Sequence, residues 1–515
     1  MEDKIKDRYD VIIIGAGHNG LVAAAYLAKA GKRVLMLEAN AEIGGATASV
    51  RTFPEFDARL SRYSYLVSLL PEQIVRDLGL NFKTISRRVA SYTPFHTEGK
   101  DNGLFVSRTW DDQTQASFHA MAGGDREAKA WQKFYGEIET FAQRISPSLL
   151  KPLPTRSGLK KQIGLDHIWD YLIEHPIGDA ITQTFQNDVV RGIVLTDALI
   201  GTFVPANSIQ ANKCFLYHLI GNGNGEWKVP QGGMGALVRA LERVAKESGV
   251  TISVNARVTR VQSDGKEVGV TLVDGEMIYA KHLLSNAAPQ VLATLRGKRP
   301  PASLDGSQLK INMLVTRLPR LKSGADPRDA FAGTFHINES FTQLEAAFNE
   351  AKRGLIPTVI PQEIYCHTLS DSSILSHGLQ QQGYHTLTMF GLHTPASLFD
   401  HEHDSQRGKA AEAALRSLNE YLADPIESVL ARSSDGTPAI EVKTPLDIEA
   451  AIGLPRGNIF HRDLAFPFRE DGEAPSWGVE TDDPNIFVCG AGAIRGGGVS
   501  GIPGHNAAKA VIGAG

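Results

Sequence analysis

The run YDVIIIGAGHNGLVAAAYLAKAGKRVLMLEANAEIGGA, residues 9–46, constrains this chain more than any other stretch. Residues 11–14 are apolar and mostly β-branched, as a strand covered on both faces requires. Gly15, Gly17 and Gly20 follow at once in the spacing G-x-G-x-x-G. Residues 21–30 read as a helix of small side chains, closed by Lys29 and Gly31, and residues 33–38 read as a second strand. In that setting each glycine has its own task. Gly15 allows the tight turn, Gly17 admits a pyrophosphate to the backbone, and Gly20 lets the helix lie close on the strand. The helix N-terminus adds free N–H groups and positive dipole. Glu38 ends the second strand eighteen residues past Gly20, where an acid accepts hydrogen bonds from a ribose. The run is read as a dinucleotide site, against the alternative of a tight turn in an α/β domain that binds nothing.

A chain of 515 residues exceeds one simple core, so two or three domains are expected. Hydrophobic residues at 42% and charged residues at 21% mark a soluble globular protein. A net charge of −4 provides no basic field, and no nucleic-acid partner is expected. Cys214, Cys366 and Cys489 lie far apart. They form neither a disulfide framework nor a C-x-x-C pair, which fits a reducing, cytoplasmic setting and argues against a redox-active disulfide. The first ten residues are charged and lack the apolar centre of a signal peptide.

Farther along, residues 128–145 carry Trp131, Phe134, Tyr135, Ile138 and Phe141 at helical spacing, a stripe that serves either a core or a substrate channel. Residues 146–165 mix proline, leucine and basic residues. They read as a surface linker or as a patch on a membrane surface, with Leu149, Leu150 and Leu153 inserted and Lys160 and Lys161 near lipid phosphate. The glycine-rich residues 221–227 follow no strand and read as a loop. Residues 228–289 change texture, with a helix over 236–248 and strands over 250–254, 257–262, 268–273 and 282–285. This second α/β segment is long enough to rejoin the first sheet. Residues 290–440 resolve only into strands over 310–316 and 384–390 and a helix over 410–422. The tract DHEHD, 400–404, has ligand-type residues on one flexible loop, a poor metal geometry, and no metal site is expected. A last strand over 485–489 leads into a glycine-dense loop and an alanine-rich helix.

Three blocks carry a family resemblance: GAGHNG…LEANAEIGGA, PQGGMGALVRAL…NARV…SNAAP and FVCGAGAIRGGGVSGIPGHNAA. Together they resemble the phytoene (carotenoid) desaturase-like flavoproteins of the amine-oxidase-type FAD superfamily. The nearest likeness is to desaturase-like proteins that carry a "pyridine nucleotide-disulfide oxidoreductase domain" name. The resemblance implies an α/β fold: a glutathione-reductase-type FAD-binding Rossmann domain, discontinuous over 1–92, 225–300 and 440–515. An α+β substrate domain would fill 93–224 and 301–439. It implies FAD held by Gly15, Ala16, Gly17, His18, Asn19 and Gly20, with Glu38 at the ribose and Ala39 beside the cofactor. Gly44, Gly45, Ala46, Val258, Asn286, Gly490, Gly492, Gly497, Gly498 and Val499 would line the rest of the cofactor. Where the family often has His-Pro, this chain has Ile494-Arg495. Arg495 is the one weak catalytic candidate: it holds a substrate carboxylate or oxyanion, or it pairs with a nearby acid or a flavin oxygen.

The implied activity is oxidation or desaturation of an apolar, isoprenoid- or acyl-like small molecule by hydride transfer to flavin. A second nucleotide motif is absent from the sequence, so reoxidation by oxygen, a quinone or another carrier is expected. A redox-neutral flavin isomerase and a non-catalytic lipid- or prenyl-binding protein on the same fold are the rival readings. His18, His218, His367 and His505 are candidate proton handlers, with a structural role as the alternative. The sequence sets neither oligomeric state nor the extent of membrane contact.

Overall fold

The computed structural model describes residues 9–97 and 99–513. Its first sheet is built around β1 (Tyr9–Ile14), whose last four residues are buried. β1 runs parallel to β2 (Val34–Leu37), and helix α1 (His18–Lys29) makes the crossover between them. β3 (Thr251–Ser253) extends the sheet beyond β2. Between them in sequence lies helix α2 (Met234–Glu247), which packs against α1. The hairpin of β4 (Val258–Ser263) and β5 (Val268–Leu272) follows.

The long β6 (Met277–Ser285) lies on the other side of β1, parallel to it. Its first half pairs antiparallel with β5 and its second half parallel with β7 (Ile486–Val488). Sequence-distant segments thus share one sheet, as the discontinuous domain requires. The C-terminal helix α3 (Ile502–Gly513) then lies on α1. Their contact depends on Gly504: a Cβ there would overlap the Asn19 carbonyl oxygen. Two helix backbones approach that closely only through a residue without a side chain.

The second sheet has seven strands, in the spatial order Ile440–Lys443, Ser307–Val315, His385–Pro395, Gln362–Tyr365, Thr334–Ile337, Val89–Thr97 and Lys100–Ser107. All neighbours are antiparallel except Thr334–Ile337 with Val89–Thr97. Two boundaries read from the sequence shift as a result. The strand Val89–Thr97 spans the cut at 92, and Ile440–Lys443 is an edge strand of this sheet, not part of the cofactor domain. At 440 the cause is pairing with residues 310–313 over a long sequence separation that leaves no local signal, whereas Val89–Thr97 is carried into this sheet by its local hairpin with Lys100–Ser107.

A helical layer covers the third side, from Asp112–Ala122 to Ile209–Ile220. Its centre buries Phe134, Phe141, Trp169, Phe185 and Phe215. The segment 146–165 is no free linker: it holds the helix Arg156–Ile163, and of the three leucines expected at a lipid surface only Leu150 is even partly exposed. Leu149 and Leu153 are only 2% and 4% exposed and pack into the protein. Among the described residues no helix is long and apolar enough to cross a membrane.

Candidate active site

One cavity of about 1050 Å³ runs between the first sheet, the second sheet and the helical layer. It has two differently built parts. The first is a groove at the C-terminal ends of β1, β2 and β6. Gly17 caps α1 without a side-chain cap, and the first turn of α1 carries no acid, so its N–H groups and dipole stay open to an anion. Glu38 is buried at the end of β2. Its two oxygens accept hydrogen bonds from the Ala16 N–H at 2.8 Å and the Asn40 N–H at 2.9 Å. These fix the carboxylate and leave acceptor capacity for ribose hydroxyls. In the groove wall, His18 Nε2 and Asn19 Oδ1 are buried without a partner.

The groove is lined by twelve of the residues expected at a flavin: Gly15, Gly17, His18, Asn19, Glu38, Ala39, Gly45, Ala46, Val258, Asn286, Gly498 and Val499. The other six sit behind it. The Ala16 N–H is taken by Glu38, and a Cβ on Gly20 would overlap the Gly15 carbonyl oxygen. Gly44 abuts Val238, Gly490 the Asn286 carbonyl, Gly492 Pro289 and Gly497 Phe460. The C-terminal glycines therefore serve mainly close packing, with Gly498 as the exception at the groove. An open helix N-terminus, an oriented carboxylate and unpartnered polar atoms in the wall match the donor and acceptor needs of FAD.

Arg495 does not reach the cavity. It is 1% exposed, and its backbone takes a left-handed φ of 65°. Its guanidinium donates to the carbonyls of Ser148 at 2.9 Å, Lys151 at 2.6 Å and Trp477 at 2.7 Å. Burial pulls its pKa down to about 10. Arg495 is therefore corrected from catalytic candidate to clamp: it ties the C-terminal loop to the segment once read as a linker.

The second part of the cavity is a chamber under the second sheet. Strand register makes it. Lys310, Phe390, Glu363 and His336 are directly cross-strand neighbours on four successive strands, and all four line the cavity. Strand spacing places Lys310 and Glu363 about 10 Å apart. Asn312, Thr388 and Tyr365 form a parallel row, in which the Thr388 hydroxyl donates to the Asn312 amide oxygen. Lys310 is 1% exposed, and its Nζ, without a hydrogen-bond partner, lies 3.6 Å from the centre of the Tyr65 ring. Burial holds its pKa well below the lysine range. Tyr65 in turn meets Tyr365 at 4.9 Å between ring centres. The Tyr365 hydroxyl donates to Glu363, whose carboxyl is pushed up to about 7 by burial.

The aromatic helix Arg126–Ile145 plays both of its expected parts. Phe134 and Phe141 are core, while Trp131, Tyr135 and Ile138 wall the chamber. Gln132, Gly136 and Glu139 are exposed on the same wall and mark a mouth. The loop Gly221–Trp227 also meets the cavity through Asn224, Gly225, Glu226 and Trp227. Of the histidines singled out in the sequence, His18 and His218 line the cavity, and burial depresses them to about 4 and about 3. His367 and His505 are not in the lining. Lys310, His336, Glu363, Tyr365 and His461 were missed, since strand register and loop placement bring them together and no local motif does.

The model of the flavin-containing amine oxidoreductase family matches residues 20–312. An uncharacterised protein of Mycobacterium tuberculosis is 44% identical over 99% of this chain and 98% of its own length. The pyridine nucleotide-disulfide oxidoreductase domain-containing protein 2 of Mus musculus is 32% identical over 99% of this chain and 94% of its own. A solved putrescine oxidase variant superposes with a TM-score of 0.58 at 16% identity, covering 99% of both chains, which speaks for a shared fold. With the groove, these likenesses give the conclusion: the chain belongs to the flavin-containing amine oxidoreductase family and is an FAD-dependent oxidoreductase.

Proposed function

We propose that the protein oxidises or desaturates a small molecule with a long apolar body and one polar end. The observation that carries this reading is the continuity of the cavity from the dinucleotide groove into a chamber with aromatic walls and a buried polar row. FAD supplies a two-electron acceptor for a C–H bond presented to it. The residues of this chain do the rest. Trp131, Tyr135, Ile138 and Phe390 offer apolar contact to the substrate body and exclude water. Lys310 and Tyr365 carry polar groups to the same space, where they can orient the polar end. Glu363, its carboxyl held by the Tyr365 hydroxyl, presents a fixed acceptor to the same space.

Reoxidation by oxygen, a quinone or another carrier is part of the proposal. The glycine-rich Gly221–Trp227 segment follows the helix Ile209–Ile220, not a strand, so it is not a second nucleotide turn.

The test is anaerobic mixing of the FAD-loaded protein with panels of isoprenoid or acyl compounds bearing one polar end, and with short polar diamines. Bleaching of the flavin band by members of the first panel supports the proposal. Bleaching by the diamines alone overturns it. Rapid bleaching by NADPH alone would overturn the assignment of the electron acceptor. Product of unchanged mass with no acceptor consumed would indicate the isomerase.

A further inference from the structure

We propose that His336, Glu339 and Glu363 form a binding site for one divalent cation, of the Zn²⁺ or Mn²⁺ type, at the inner edge of the chamber. His336 and Glu363 are directly paired across two antiparallel strands. Glu339 comes from the turn that follows. Asn338 takes a left-handed φ of 56°, which brings the Glu339 side chain back beside His336. Gly192 holds that turn in place: a Cβ there would overlap the Glu339 carbonyl oxygen, so only glycine lets the helix Asp188–Thr196 rest on it.

The three residues are buried, at 6%, 2% and 4% exposure. One nitrogen or oxygen from each lies within 4.8 Å of the others. His336 Nδ1 is 2.5 Å from a Glu339 oxygen and 3.9 Å from a Glu363 oxygen. Ligand atoms on a tetrahedral zinc stand about 3.4 Å apart, between those two separations, so small side-chain rotations would suffice.

An independent observation is the second oxygen of Glu339, Oε1, which is buried without a partner. Two carboxylates sharing one imidazole away from water repel each other when ionised. Holding protons would leave that oxygen still unsatisfied. A divalent ion balances both charges and takes up the free lone pairs.

No surrounding group takes up the free Glu339 oxygen. Tyr365 donates one hydroxyl to Glu363. Arg87 directs its guanidinium to the Trp227 carbonyl and the Thr334 hydroxyl, and its charge acts on Glu363 only through space. Asp197 adds a further buried carboxyl to the same region. Nitrogen with carboxylate oxygen is a donor set suited to Zn²⁺, Mn²⁺ or Fe²⁺. Three protein ligands leave a coordination position free, and His336 and Glu363 both reach the chamber, so that position opens toward a bound small molecule.

The experiment uses the untagged, FAD-loaded full chain, incubated with Zn²⁺ or with Mn²⁺ and dialysed against metal-free buffer. Elemental analysis should find about one ion per chain in the wild type and less than about a tenth in Glu339→Gln and Glu363→Gln. FAD per chain should stay unchanged in both variants, which reports their folding independently of the ion. Direct titration of the wild type with Mn²⁺, followed by loss of the free-ion resonance signal, tests the site without any variant. A wild type that retains neither ion overturns the proposal, and so do folded variants that retain the wild-type amount. The proposal does not depend on the identity of the oxidised substrate.

Discussion

The groove and the chamber share one cavity but are built from opposite materials. The groove is backbone: a helix N-terminus, glycines that admit close approach, and a single carboxylate fixed by two N–H groups. The chamber is side chain: a buried lysine over a tyrosine ring, a carboxyl held by a phenol, an imidazole between acids. The difference teaches where generality and specificity sit in this molecule. A backbone cradle binds the same cofactor whatever the substrate. A row of side chains set by strand register changes its chemistry with each substitution.

The largest effect that can break this contrast is expected at Gly20. A valine there would collide with the Gly15 carbonyl, and the chain should fall to less than about a hundredth of wild-type FAD affinity, seen as loss of the flavin band. Full FAD content in Gly20→Val would mean that the cradle is not what holds the cofactor. Next comes Arg495→Met, which leaves three buried carbonyls without their donor. Denaturant unfolding should show a loss of about 3 kcal/mol, while flavin reduction per bound FAD stays near wild type. A selective loss of turnover in that variant would restore Arg495 as a catalytic group.

The chamber side is sharpened by Lys310→Met. It should keep one FAD per chain but slow flavin reduction by an identified substrate about thirtyfold, measured by stopped-flow absorbance. Loss of FAD in that variant would blur the division between the two parts. The smallest change is expected for Glu38→Gln, in which one of the two N–H bonds survives. FAD affinity should fall about tenfold, or about 1.4 kcal/mol, by titration of the apoprotein.

The same division explains what could be read from the sequence. The cradle is encoded within thirty-eight consecutive residues, 9–46, because turn, helix and strand follow each other directly. The return of the chain to the first sheet was also legible. The strand signals after residue 228 and the final strand at 486–488 fall where β3 to β7 lie. The C-terminal glycines were expected along the cofactor, and most of them turn out to be close-packing positions instead. Gly490, Gly492 and Gly497 pack against protein, and Gly504 against α1.

The chamber was illegible for a physical reason. Lys310, Phe390, Glu363 and His336 become neighbours only through the pairing of four strands, and register is not a local property. Residues 146–165 could be read only as alternatives, because leucines and lysines in a short proline-rich run look alike whether they face solvent, lipid or a neighbouring loop. Only the approach of Arg495 from the far end of the chain decides it.

The central claim is that the two ends of the polypeptide close around a single FAD. The direct measurement is the FAD content of the folded wild-type chain after incubation with excess cofactor and gel filtration. The account predicts one FAD per chain, with the visible band of a bound flavin. A chain that is folded by circular dichroism yet emerges colourless would contradict it.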